Sequence, residues 1–456
     1  MSAFQTVAKR RLTTALFFVL LQPAQILFAK SIDDADALPN VVIILTDDMG
    51  YGDIGVNSQT PIKTPHIDHL ANNGLNFTQF YASANVCTPS RAGLMTGRYA
   101  IRMGLAKGVL SAESNGGMPN NEETIAELAK RAGLSTSLIG KWHLGSFPDH
   151  HPLNHGWEEF FGTPHSNDMP DFALFRGLKK IEQPVKQSLL TERYTEEAIG
   201  FIARNSRQPF LLMVSHNMPH IPLYASKAFQ GRSAAGTYGD VIEELDASVG
   251  RIIDELSAQG ILENTLVLFT SDNGPFFEGS VGGLKGGKGN GWDGGYRVPA
   301  VISWPAKLKQ SRSVETISSN LDILPTLAEV LRVKPRANDL DGRSLLSVMH
   351  GANKSAHDFL YYFNNEEIIG VRNQHWKLLT HVYYRRSLGA FEKFDQLDGF
   401  NGSYDMLFDM SSTHGEQYSV ADRQPAARKR LKSQLDLSRQ RFQPMMLQAP
   451  DVTFPK

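Results

Sequence analysis

Residues 41–46, Val-Val-Ile-Ile-Leu-Thr, form an unbroken apolar run rich in β-branched side chains. A half-exposed strand alternates apolar with polar positions. The absence of alternation here predicts a strand covered on both faces, as in a parallel sheet. Comparable runs stand at 135–139, 210–214, 266–269 and 300–302. Between them, helical patterns cover 67–73, 124–132, 193–203 and 240–258. Alternating strands and helices predict an α/β fold. In such sheets ligands bind beyond the carboxyl ends of the strands. Polar clusters follow the first four runs: Asp47-Asp48, Lys141 to His143, His216 to His220, and Asp272-Asn273. Residues 281–295 are Gly-rich and read as a loop over that end.

Beyond about residue 350 the pattern changes. Segments 359–363, 369–372 and 376–379 read as antiparallel strands, and 425–441 as a helix. The chain of 456 residues thus divides into a catalytic domain at 38–350 and a smaller C-terminal α+β subdomain at 355–456. At the start, Lys9, Arg10 and Arg11 precede an apolar stretch broken by Pro23 and closed by Ala29. This pattern predicts a secretory signal peptide, 1–29. The apolar run is too short to span a bilayer comfortably, so the expectation is a secreted or periplasmic protein with no stable membrane insertion after cleavage. The net charge of −1 becomes −4 without residues 1–29, which hold three basic and no acidic side chains. That balance argues against a nucleic-acid binder. An anionic substrate would need a local basic pocket. The chain has one cysteine and hence no internal disulfide framework.

Asp47-Asp48 and Asp272-Asn273 each follow a buried run. Adjacent residues of an extended chain point opposite ways, so only a turn brings both carboxylates of the first pair together, and Gly50 and Gly52 permit one. Three carboxylates and an amide oxygen make a hard-oxygen cage suited to calcium or magnesium. The same segments also read as independent turns, since Asp-Asn-Gly is common turn chemistry. Cys87 opens Cys-Thr-Pro-Ser-Arg. A helix starting near Pro89 would set Arg91 one turn on and favour an anion beside position 87. A lone cysteine is a small buried hydrophobe or a thiolate nucleophile, and an exported thiolate is exposed to oxidation.

Cys87-x-Pro89-x-Arg91 resembles the signature of type I sulfatases in the alkaline phosphatase superfamily. The resemblance runs from Pro39 to about Val420, through Gly140-Lys141-Trp142-His143-Leu144-Gly145, Ser215 to Pro222, Asp272-Asn273-Gly274 and Gly287-Lys288-Gly289. It implies an alkaline phosphatase-like fold, with a large mixed, mostly parallel sheet flanked by helices. It further implies a formylglycine, an aldehyde made from Cys87 by a maturation enzyme during export, and one calcium ion. Asp47, Asp48, Asp272 and Asn273 match the calcium ligands, with residue 87 and the substrate sulfate completing the shell. Arg91, Lys141, His143, His220 and Lys288 match the residues around the nucleophile. In the implied mechanism the hydrated aldehyde attacks sulfur, Asp272 orients or deprotonates the attacking hydroxyl, His220 with Lys288 protonates the leaving oxygen, and His143 takes the second proton. His216 competes with His220, and Lys285 with Lys288. Lys141 and His143, two apart in an extended segment, would share a face. Asp293-Gly294-Gly295 stands where the family often has Glu-Gly-Gly, and Phe408-Asp409-Met410-Ser411 replaces a more usual Asp-Pro pairing.

The implied substrate is a sulfated carbohydrate or small molecule, aryl sulfates included. Two other readings stay open. One is a phosphate or phosphonate ester hydrolase of the same superfamily. The other is a non-catalytic binder of sulfated glycans, which should have lost Cys87 or a calcium ligand; none is missing.

Overall fold

The computed structural model describes residues 37–145, 147–381, 405–412 and 415–454; the expected signal peptide, 1–29, lies outside the described residues. The chain enters through β1 (Asn40–Thr46) and α1 (Pro65–Asn72), then two short strands, β2 (Leu75–Phe77) and β3 (Phe80–Tyr81). Helices α2 (Cys87–Thr96) and α3 (Ile125–Arg131) lead to β4 (Ser135–Lys141), β5 (Glu159–Thr163), β6 (Leu174–Arg176) and β7 (Lys179–Glu182). Next come α4 (Leu190–Asn205), β8 (Phe210–Ser215), α5 (Gly236–Ala258) and β9 (Thr265–Ser271). The one-turn helix α6 (Asp293–Tyr296) precedes β10 (Ala300–Ser303), β11 (Arg312–Val314), β12 (Ser318–Ser319), α7 (Ile323–Val330) and α8 (Leu346–Met349). The last elements are β13 (Leu360–Asn364), β14 (Glu367–Arg372), β15 (Trp376–Leu379), β16 (Met406–Asp409) and α9 (Pro425–Gln448).

Among the described residues, ten strands make one sheet in the order β11-β2-β10-β9-β1-β8-β4-β5-β6-β7. Its centre, β9-β1-β8-β4-β5, is parallel, and β10, β6 and β7 run antiparallel to their neighbours. The sheet is therefore large, mixed and mostly parallel, as expected. Strand β1 shows why its sequence does not alternate. Val41, Ile43 and Leu45 enter one core with Leu94 of α2, Leu128 of α3 and Leu327 of α7. Val42 and Ile44 enter the opposite core with Leu70 of α1, Phe201 of α4 and Leu245 of α5. Each such side chain contributes roughly 1.5–3 kcal/mol by leaving water, so either face made polar would strand one helical layer.

The five long runs fall on β1, β4, β8, β9 and β10. The short strands β2, β3, β6, β7, β11 and β12, two to four residues each, were not foreseen, because so few positions carry no periodicity. Helix α2 begins at Cys87 rather than near Pro89, with Val86 extended as its N-cap. Pro89 then sits in the first turn, where an N–H has no intrahelical partner to lose. Helix α9 runs on past 441 to Gln448 with Pro444 inside it. After α8 the chain forms the antiparallel sheet β13-β14-β15-β16. Leu431, Leu435 and Phe442 of α9 join the core lined by α2 and α3. No helix among the described residues is long and apolar enough to cross a membrane.

Candidate active site

Strands β1 and β9 are neighbours in register, with Thr46 opposite Ser271, so Asp47-Asp48 and Asp272-Asn273 emerge side by side. The required turn is a single residue: Asp48 is left-handed, with φ 69°. Its backbone N–H donates to Asp272 Oδ1 at 3.2 Å, and Asn273 Nδ2 donates to Asp48 Oδ1 at 2.7 Å. All four side chains are buried.

Cys87 opens α2 against this cluster. Its thiol donates to Asp47 Oδ1 at 3.4 Å and lies 4.0 Å from Asp48 Oδ1. The helix is buried throughout and tied down by its own side chains. Thr88 Oγ1 donates to His143 O at 3.0 Å, and Ser90 Oγ donates to Asp272 O. Arg91 ties three strand ends together: Nε donates to Asp272 Oδ2 at 2.8 Å, and Nη1 to Ser215 Oγ at 2.8 Å and Lys141 O at 3.1 Å. Its Nη2 stands 3.6 Å from Asp47 Oδ1 and makes no hydrogen bond.

Lys141, the last residue of β4, donates to Asp47 Oδ2 at 2.5 Å and to Ser166 Oγ at 3.2 Å. Lys288 Nζ lies 2.7 Å from Asp48 Oδ2 and 3.5 Å from Cys87 Sγ. Lys285 is directed elsewhere, its Nζ 3.6 Å from the Trp292 ring centre. His220 Nε2 is 3.6 Å from Asp48 Oδ2, and Nδ1 meets Ile221 O at 2.5 Å. His216 is buried beside Tyr194, its ring nitrogens without hydrogen-bond partners. Of the two candidates, His220 meets the cluster. His143 Nε2 meets Leu110 O at 2.8 Å, and Nδ1 has no partner. The shared-face argument does not place it: β4 ends at Lys141, and His143 is left-handed at φ 60°. Sequence reasoning missed Ser166, whose hydroxyl touches Lys141 and comes within 3.4 Å of His220 Nε2. Its only sequence signal is its place just beyond the carboxyl end of β5.

The electrostatics follow from burial and pairing. Burial pushes the Asp47 carboxyl up, but Lys141, His220, Arg91 and Lys288 outweigh it and hold it well below the usual carboxylate range. Asp272 moves the other way: burial and then the Asp47 charge raise it, against Arg91. Burial, and next Asp47, push the Cys87 thiol well up. Burial would lower the Lys288 ammonium, but Asp48 and its neighbours keep it protonated. His143 is driven well down by burial, Lys141, His165 and Arg91. Ligand atoms of Asp47, Asp48, Cys87 and Asp272 all lie within 4.8 Å of one another. Asn273 Oδ1 is buried without a partner. Three carboxylates and an unpaired amide oxygen fit a hard divalent cation such as calcium.

Comparison with known proteins gives the family. The sulfatase family profile matches residues 39–333, and that of the N-sulphoglucosamine sulphohydrolase C-terminal region matches 289–404. Human steryl-sulfatase is 35% identical over 74% of this chain and 74% of its own length. Mouse N-acetylgalactosamine-6-sulfatase is 37% identical over 72% of this chain and 69% of its own. The crystal structure of Ps i-CgsB in complex with k-i-k-neocarrahexaose superposes with a TM-score of 0.76 at 26% identity, covering 88% of this chain and 92% of the other. The chain belongs to the sulfatase family, type I sulfuric ester hydrolases of the alkaline phosphatase superfamily.

Proposed function

We propose that the chain, as a secreted or periplasmic enzyme, hydrolyses sulfate monoesters on carbohydrates and turns over aryl sulfates, using a formylglycine made from Cys87 and one calcium ion. One observation carries the reading: three carboxylates and two lysine ammonium groups converge on a single buried cysteine at a helix start. The substrate class is supported by two similar proteins, one named for a sulfated amino sugar and one solved in complex with a neocarrahexaose.

Asp47, Asp48, Asp272 and Asn273 would hold the calcium, which neutralises sulfate charge. The formylglycine, when hydrated, supplies two hydroxyls on one carbon, one to attack sulfur and one to release sulfate. The side chains do the rest. Lys141 and Lys288 present ammonium groups to the sulfate oxygens and to the charge that develops on them. Arg91 holds Asp272, which in turn orients the nucleophile's hydroxyl. The Ile221 carbonyl can only accept, so His220 Nδ1 carries hydrogen toward it and Nε2 exchanges the proton given to the leaving oxygen. By the same logic His143 Nε2 donates to Leu110 O, which leaves Nδ1 as the basic nitrogen for the second proton. Cys87 is buried at the root of a buried helix, so its conversion by the maturation enzyme precedes final packing.

Initial rates on an aryl sulfate and the matching aryl phosphate, followed by a panel of sulfated oligosaccharides, test the reading. Preferred turnover of the sulfate, and release of sulfate from at least one glycan, are expected. Faster phosphate turnover would sink it, as would tight glycan binding with no sulfate released.

A further inference from the structure

The Gly-rich segment that carries Lys288 is pinned at its far end by charges buried away from Cys87. Asp293, the first residue of α6, is fully buried. Its Oδ2 accepts from Tyr81 Oη at 2.7 Å, and its Oδ1 accepts from Tyr362 Oη at 3.1 Å and Lys377 Nζ at 2.8 Å. Lys377 also donates to Gly291 O at 3.2 Å and pairs with Glu416 Oε1 at 2.5 Å. Glu416 Oε2 accepts the Asp293 backbone N–H at 2.7 Å. Tyr362 and Lys377 belong to β13 and β15, and Glu416 follows β16, so the C-terminal sheet supplies most of this cage. Lys377 is thus held by two hydrogen bonds and one ion pair, all inside the cage. Buried charges tolerate few alternative arrangements, because displacing one strands the others unpaired.

The link from Asp293 to Lys288 is backbone on backbone. Gly294 N donates to Lys285 O at 2.8 Å. A Cβ on Gly294 would lie 2.5 Å from Gly286 O, and one on Gly295 would lie 2.5 Å from Gly287 O. No side chain separates 293–295 from 285–288, so there is no slack to absorb a shift. At the other end of the arm, Lys288 N donates to Pro275 O at 2.8 Å and Gly289 N to Asn85 O at 3.0 Å.

We propose that Asp293 is a positioning residue for Lys288, and that Lys377 and Glu416 of the C-terminal region set its place. The C-terminal sheet thereby fixes where the Lys288 ammonium stands beside residue 87. This rests on the reading that Lys288 serves the sulfate group.

The test is a double-mutant cycle on the mature, calcium-loaded enzyme with an aryl sulfate: Asp293→Asn, Lys288→Ala and the two combined. Asp293→Asn is expected to lower kcat/KM roughly 10- to 100-fold, the effect of misplacing a reacting group by about 1 Å. In the Lys288→Ala background the same change is expected to cost less than about 2-fold, because its route of action is gone. Equal losses in both backgrounds, or no loss in either, overturn the proposal. Wild-type activity in Lys288→Ala is a different result: it removes the reading of Lys288 itself. Tyr362→Phe removes one donor and no charge. Carried through the same cycle, it is expected to lose about 3- to 10-fold, the worth of one such hydrogen bond. Should Asp293→Asn not fold, the Tyr362→Phe cycle decides on the same criterion of coupling to Lys288.

Discussion

At the scale of single residues, the site separates side chains that look interchangeable in sequence. Lys285 and Lys288 are three apart in one Gly-rich segment, yet one covers Trp292 and the other pairs with Asp48. Lys288→Ala is therefore expected to lower kcat/KM on an aryl sulfate about 10²- to 10³-fold, and Lys285→Ala only a few-fold; equal effects would contradict the assignment. His220 and His216 divide likewise: His220→Ala should slow turnover, whereas loss of His216 should act on stability, and activity and melting measured together separate the two. Cys87→Ser provides one hydroxyl where the aldehyde hydrate has two. It is expected to accept one sulfo group, a gain of about 80 Da by intact mass, and then stall. The metal-type carboxylates were legible because their chemistry depends on residue type, pairing and place after a buried run. The left-handed turn at Asp48 was legible only as a need, and Ser166 was not legible, because a serine in a loop gains meaning only from the Lys141 and His220 it meets in space.

At the scale of elements, the parallel strands deliver the site by ending together. Strand β4 lies between β8 and β5, with Gly140 opposite Ser215 on one side and Gly162 on the other. A Cβ on Gly140 would fall 1.9 Å from Ser215 O, and its φ of 109° disfavours any other residue. Gly140→Ala should cost roughly 1–3 kcal/mol from the backbone alone, and more from forcing apart the strands that hold Lys141 and Ser215. Both the melting temperature and the activity should fall; an unchanged protein would show that these strand ends are not held as tightly as drawn. The long strands and helices were readable from apolar runs and helical spacing. The start of α2 at Cys87 was not, since Pro89 marks the first turn of a helix without saying which residue of the turn it is. The cage around Asp293 escaped the sequence for a stronger reason. Tyr81, Asp293, Tyr362, Lys377 and Glu416 are spread over more than half the chain and meet only through the sheets.

At the scale of the whole molecule, the predicted calcium ligands come from β1 and β9, which also hold the centre of the sheet together. An ion bound only by the folded state adds about 2.7 kcal/mol at a hundred times its dissociation constant. Chelation should therefore lower the melting temperature, calcium should restore it, and Asp48→Ala should abolish the difference. Acid acts on other groups. His155 and His216 are buried with unpartnered rings, and burial lowers them to about 4 and about 3. Both stay neutral in the fold while the unfolded chain takes up protons, so their contribution is complete above the unfolded value of about 6.5 and is lost as pH falls toward the folded values. The share of stability that these two rings supply should drop between about pH 6.5 and 4, so His155→Gln should lose less stability than the wild type over that range. Parallel pH profiles for His155→Gln and the wild type would contradict the burial of the His155 ring.

The central claim is that Cys87 is the precursor of the nucleophile rather than the nucleophile. Peptide mass spectrometry of the protein from its natural host, with aryl sulfatase activity measured on the same sample, tests it most directly. The peptide containing residue 87 should be about 18 Da lighter than the encoded sequence, the difference between a thiol and an aldehyde side chain. Full activity in a sample whose residue 87 is entirely unmodified cysteine would contradict it.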